Sequence, residues 1–61
     1  MQGLKAIKCF VTRTYSDTGQ TKLFCEWDDS SRTEGSPFST HMQALKARAV
    51  RAGKPVTTEV R

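Results

Sequence analysis

Two alternating stretches on either side of a single glycine turn constrain this chain more than any other feature. From Leu4 to Tyr15 the residues alternate in character. Ile7, Cys9 and Val11 fall on one parity, and Lys8, Phe10, Thr12 and Thr14 on the other. The pattern returns from Thr21 to Asp29, with Leu23, Cys25 and Trp27 on one parity and Lys22, Phe24 and Glu26 on the other. Period-two alternation rich in aromatic and β-branched residues predicts strands. Between them lies Tyr15-Ser16-Asp17-Thr18-Gly19-Gln20. A three-residue hairpin loop suits these residues, with Asp17 and Thr18 in a type I turn and Gly19 left-handed. That loop sets Val11 opposite Cys25, Cys9 opposite Trp27 and Lys8 opposite Asp28. Both apolar triplets then share one face, whereas a two- or four-residue loop would separate them.

The rest of the chain supplies one helix and one more strand. Ser39 or Thr40 suits a helix cap, and Phe38 a staple residue just before it. The run Met42-Gln-Ala-Leu-Lys-Ala-Arg-Ala-Val-Arg-Ala52 is made of strong helix formers, with Met42, Leu45, Ala49 and Ala52 as a narrow apolar stripe. Gly53 fits the position after the cap, and Pro55 stops continuation. Val56, Thr58 and Val60 then alternate with Thr57, Glu59 and Arg61. A leading proline places that strand at a sheet edge. The expectation is a small two-layer α+β domain of order β-β-α-β. It comprises a hairpin over 4–29, a mobile loop over 30–38, a helix over 40–53 and a strand over 55–60. Its sheet would have three antiparallel strands in the order 2-1-3, with the helix over Ile7, Cys9, Val11, Leu23, Cys25, Trp27, Val56 and Val60. The loop assignment rests on Ser30 to Pro37, which holds no aliphatic or aromatic residue.

Size and composition bound the function. Sixty-one residues support one domain, and a domain this small buries only about 60% of the surface of its unfolded chain. Deep substrate pockets are hard to build on that scale. Ten Lys plus Arg against six Asp plus Glu give +4, which suits polyanions or acidic protein patches. No apolar run approaches the roughly 18 residues of a membrane span, and no signal-peptide pattern opens the chain. The reading is an intracellular (cytoplasmic) protein with reduced cysteines.

Catalytic and metal chemistries find few candidates. Cys9, Cys25 and His41 lack the fourth ligand and the close Cys spacing of a zinc site. His41 has no partner that would orient it as a base. Adjacent Asp28 and Asp29 point to opposite sides of a strand. Gly19, Gly35 and Gly53 are isolated, so no phosphate loop is present. No cofactor or metal is expected, and the chain reads as a non-enzyme.

Two surfaces carry the functional expectations. The uncovered sheet face would present Lys8, Phe10, Thr12, Lys22, Phe24 and Glu26. The helix would present Lys46, Arg48, Arg51 and Lys54. The first hypothesis is an adaptor or inhibitor docking on a larger protein through the open sheet face or an edge strand. The run from Ala44-Leu45 to Ala52-Gly53, with the closing Val56-Thr57, resembles in style the small accessory proteins that bacteriophages and other mobile elements encode. The likeness implies a host-modifying role and identifies no family. The alternative is a nucleic-acid-binding module, with Lys and Arg on phosphates and Phe10 and Phe24 stacking bases. A homodimer is compatible with both.

Overall fold

The computed structural model describes residues 5–61. Leu4, the first residue of the expected hairpin, lies outside them. The chain forms β1 (Ile7–Tyr15), β2 (Gln20–Trp27), β3 (Arg32–Gly35), α1 (Thr40–Arg51) and β4 (Val56–Val60). The result is a small α+β domain, one helix on a mixed four-stranded sheet of order β3-β2-β1-β4. β1, β2 and β3 make an antiparallel meander, and β4 joins β1 in parallel. The expected three-stranded antiparallel sheet of order 2-1-3 is corrected in two ways. The extra strand β3 lies inside the segment read as a mobile loop. It turns the chain once more before the helix, so the last strand enters parallel to β1.

β3 escapes an apolar-pattern reading because it contributes almost nothing apolar. Arg32-Thr33-Glu34-Gly35 pairs residue by residue with Glu26, Cys25, Phe24 and Leu23. Its place is secured by backbone bonds and by polar side chains, including Trp27 Nε1 donating to Thr33 Oγ1 at 2.9 Å. Gly35 lies under the helix. A Cβ built there would stand 2.5 Å from Met42 Cγ, so the lack of a side chain permits the close approach.

The hairpin register is the second correction. Tyr15 pairs with Gln20, leaving the four-residue loop Ser16–Gly19. Gly19 takes a left-handed φ of 72°, as expected, but its N–H donates to the Tyr15 carbonyl at 2.7 Å. That bond closes a wider loop than the three-residue one. Phe10 therefore sits opposite Cys25, and Val11 opposite Phe24. A one-residue slip turns every side chain of a strand over. Phe10 goes under the helix, and Cys9 and Val11 go to the other face.

A bulge rescues the end of the strand. The pairing shifts between Ile7 and Cys9, so that Ile7 faces Trp27 with Lys8 as the extra residue. Without it Lys8 would point into the core; with it Ile7 does, and Lys8 is exposed. The core is Ile7, Phe10, Leu23, Cys25, Met42, Leu45 and Ala49, with Trp27 and Val56 packed against it. Cys9 and Val11, expected here, are absent from it, and Val60 is 74% exposed.

The helix follows its sequence signals closely. Ser39 is the cap, its hydroxyl accepting from the Met42 N–H at 3.3 Å. Phe38 does not staple; it is 93% exposed. At the other end Ala52 caps and is exposed rather than part of the apolar stripe. Gly53, at φ 70°, donates to the Val50 carbonyl at 3.1 Å, and Lys54 donates to that of Ala49 at 3.0 Å. This is a Schellman ending, which satisfies the last carbonyls and turns the chain toward β4.

Candidate functional site

The expected six-residue surface is divided between two faces. Lys22, Phe24 and Glu26 lie on the open face of β2. Phe10 is fully buried beneath the helix, and Thr12 is half-buried on that same side. Lys8 is the exposed bulge residue. Phe10 and Phe24 therefore cannot form one stacking platform.

The open face is roofed rather than bare. Phe24 is only 6% exposed, because the Arg13 guanidinium lies 4.9 Å and that of Arg32 5.6 Å from its ring centre. Arg13 and Lys22 on this face are in turn engaged by carboxylates. Arg13 Nε donates to Glu59 at 3.0 Å, Arg61 reaches the same carboxylate at 3.5 Å, and Lys22 Nζ lies 3.4 Å from Glu34. The Arg13 hydrogen bond holds the Glu59 carboxyl below its ordinary pKa. Long side chains spread over an apolar ring shield it from water. These ion pairs engage Arg13 and Lys22 within the face itself.

The helical cations do not converge either. Arg48, Arg51 and Lys54 are exposed, while Lys46 is half-buried on a different flank. Arg48 lines a groove of about 400 Å³ with Lys5, Trp27 and Thr33. In it Lys5 is engaged by Ser31 Oγ at 3.0 Å and by Asp29 at 3.4 Å. Ser31 donates its hydroxyl to Asp29 at 2.5 Å and its backbone N–H at 3.0 Å. These bonds, those from Ser31 first, lower the Asp29 pKa to about 2.

Cys25 is buried and Cys9 half-buried, and both are free thiols. Cys25 pairs with Phe10 and Cys9 with Glu26, so the two sulfurs lie on opposite faces. The expectation that both face the core holds only for Cys25, whose thiol pKa burial pushes up. His41 is exposed at the start of the helix. Among the described residues no cluster of three His, Cys, Asp or Glu side chains could hold a metal ion, and no helix is long and apolar enough to cross a membrane.

The edges of the sheet differ sharply. β3 is short, and its outward-facing residues are Arg32 and Glu34, both charged. β4 is the opposite case. Phe10 N–H donates to the Pro55 carbonyl, and Arg61 N–H to that of Thr14, at 2.9 and 2.8 Å. A parallel ladder alternates, so Pro55, Thr57, Glu59 and Arg61 address β1. Val56, Thr58 and Val60 turn their N–H and C=O groups outward. Their side chains are uncharged, and Thr58 and Val60 are exposed. The expected surface omitted this row, although its Val-Thr-Val parity is visible in the sequence. No family model, curated protein or solved structure matches the chain.

Proposed function

We propose that the chain is a small non-enzymatic interaction protein that docks on a larger protein by adding its β4 edge to the partner's sheet. The observation that carries this reading is the outward row of Val56, Thr58 and Val60, whose backbone groups have no strand beside them among the described residues. Proteins usually blunt such edges with charge, bulges or brevity. The outward residues of β3, Arg32 and Glu34, are both charged, whereas those of β4, Val56, Thr58 and Val60, are not. Strand addition takes affinity from main-chain hydrogen bonds and specificity from alternate side chains. The open sheet face, the other contact surface considered, is occupied by its own ion pairs and suits docking less well.

A photo-crosslinking residue placed at Val60, and separately at Glu34, tests the reading in cells expressing the protein. A discrete adduct containing a polypeptide other than this chain is expected from position 60 and not from 34. Adducts from 34 alone, or from neither position, would sink strand addition at β4.

The nucleic-acid alternative has one observation in its favour, the groove that sets Arg48 and Lys5 beside Trp27. It has lost the Phe10–Phe24 pair. Titration with single-stranded RNA at low and moderate salt should show weak binding that Arg48→Gln diminishes, if that groove is used.

A further inference from the structure

We infer that, in the free protein, the β4 edge is covered by a second copy of this chain, paired antiparallel about a two-fold axis through Thr58. The inference deepens the docking reading, since it names an occupant for the same edge.

Self-complementarity is the argument. A two-fold interface brings a surface patch against itself, so each residue must tolerate its symmetry mate. With the axis at Thr58, the outward-facing residues pair as Thr58 with Thr58, Val56 with Val60 and Val60 with Val56. Each is a hydrogen-bonded pair that exchanges both backbone bonds. The intervening positions set Thr57 against Glu59, and Pro55 against Arg61. No like charges stand directly opposite, and Glu59 is already held by Arg13 and Arg61. An axis at Glu59 would set the two Glu59 carboxylates directly opposite each other, and an axis at Thr57 would set Val60 opposite Lys54 instead of Val56.

The packing agrees with the pairing. An axis perpendicular to the sheet keeps both helices on one side. Val56, Thr58 and Val60 point to that side, since Val56 packs on the core there. Val60, 74% exposed in one copy, would be covered by Val56 of the second copy. Arg48 lies over Trp27 and Thr33, so the opposite helix flank, with Val50 61% exposed, is turned toward the β4 side and the seam. The large exposed side chains of Val50 and Val60 would thus be drawn toward one interface. The other edge offers no equivalent, because Arg32 and Glu34 guard it.

The closing experiment uses the purified full chain alone. Thr58→Cys puts two thiols across the axis at the spacing of a hydrogen-bonded strand pair, roughly 5.5 Å between Cα atoms and within disulfide reach. Mild oxidation at roughly 100 μM, a concentration suited to a small interface, should give a covalent dimer. Glu34→Cys and the parent chain, with Cys25 buried and Cys9 on the open face, should not. Light scattering of the parent chain at that concentration should give the dimer mass, and Thr58→Pro should give the monomer mass. The amides of Val56, Thr58 and Val60 should exchange with solvent more slowly as concentration rises, a readout that needs no variant. A monomer with fast-exchanging β4 amides overturns the inference and leaves docking on another protein standing. A dimer that persists in Thr58→Pro, or crosslinks equally through position 34, overturns the axis. A Thr58-centred dimer with no polypeptide other than this chain crosslinked in cells sinks the docking reading alone.

Discussion

Phe10 shows how much one side chain carries in so small a domain. It is fully buried between the sheet and Met42, Leu45 and Ala49. Phe10→Ala should cost about 3–5 kcal/mol, most of the stability such a domain has. A urea melt checks this, with Phe38→Ala as the comparison. Phe38 is almost wholly exposed, and its loss should shift stability by no more than about 0.5 kcal/mol. If Phe10→Ala melts like the parent, the face assignment is wrong. Asp29 provides a prediction in pH. Its folded pKa, about 2, lies below the ordinary carboxylate value. The stability it contributes is therefore present above the unfolded value and is lost as pH falls from about 4 toward 2. The carboxylate is exposed, so the loss is small. Carboxyl NMR titration should place Asp29 near 2, and Ser31→Ala should raise it. An unchanged midpoint in that variant would remove Ser31 as the cause.

At the scale of elements, the fold depends on how closely the helix approaches the sheet. Gly35 and Met42 share that contact. Gly35→Ala forces Met42 to move in a packed core, at a cost of about 1–3 kcal/mol. Met42→Ala alone leaves a cavity and costs about 2–5 kcal/mol. The double variant should be less destabilised than the sum of the two, because the shortened residue makes room for the new methyl group. A double-mutant cycle by chemical denaturation reads this directly, and strict additivity would show that the contact is not shared. The hairpin shows a second dependence between elements. The four-residue loop alone would send Lys8 inward, and the bulge alone would misplace Phe10. Together they bury Ile7 and Phe10 on one face and pair Val11 with Phe24 on the other.

For the whole molecule the question is whether one copy suffices. The buried apolar set among the described residues is small, and two of its members, Val11 and Phe24, lie on the face away from the helix. Such a domain gains from anything that binds its folded form. Pairing through β4 would make stability depend on concentration. The thermal midpoint of the parent chain should rise with protein concentration, while that of Thr58→Pro should not. Calorimetry over a hundredfold range checks this, and a constant parent midpoint would count against self-association. Net charge adds a second dependence. Two copies at +4 repel each other, so added salt should strengthen the dimer rather than weaken it.

The sequence by itself determined the local elements. Alternation marked β1, β2 and β4, the proline marked β4 as an edge strand, and Ser39 and Gly53 bounded the helix. Each signal comes from nearest neighbours along the chain, where backbone sterics and capping bonds decide. What lay beyond it was pairing. The loop length, the bulge at Lys8 and the polar strand β3 are all decided by partners distant in sequence. The apolar parity along the two strands favoured a three-residue loop, and the chain adopts a four-residue one. The one adopted buries both Phe10 and Phe24, whereas the other would have left Phe10 opposite Glu26 on an open face. The candidate surface followed the register, so a one-residue slip moved Phe10 into the core and Thr12 to the helix side. Which edge stays open was likewise a tertiary outcome, because β3 covers the outer side of β2, whereas β4 is paired on one side only, with β1, among the described residues.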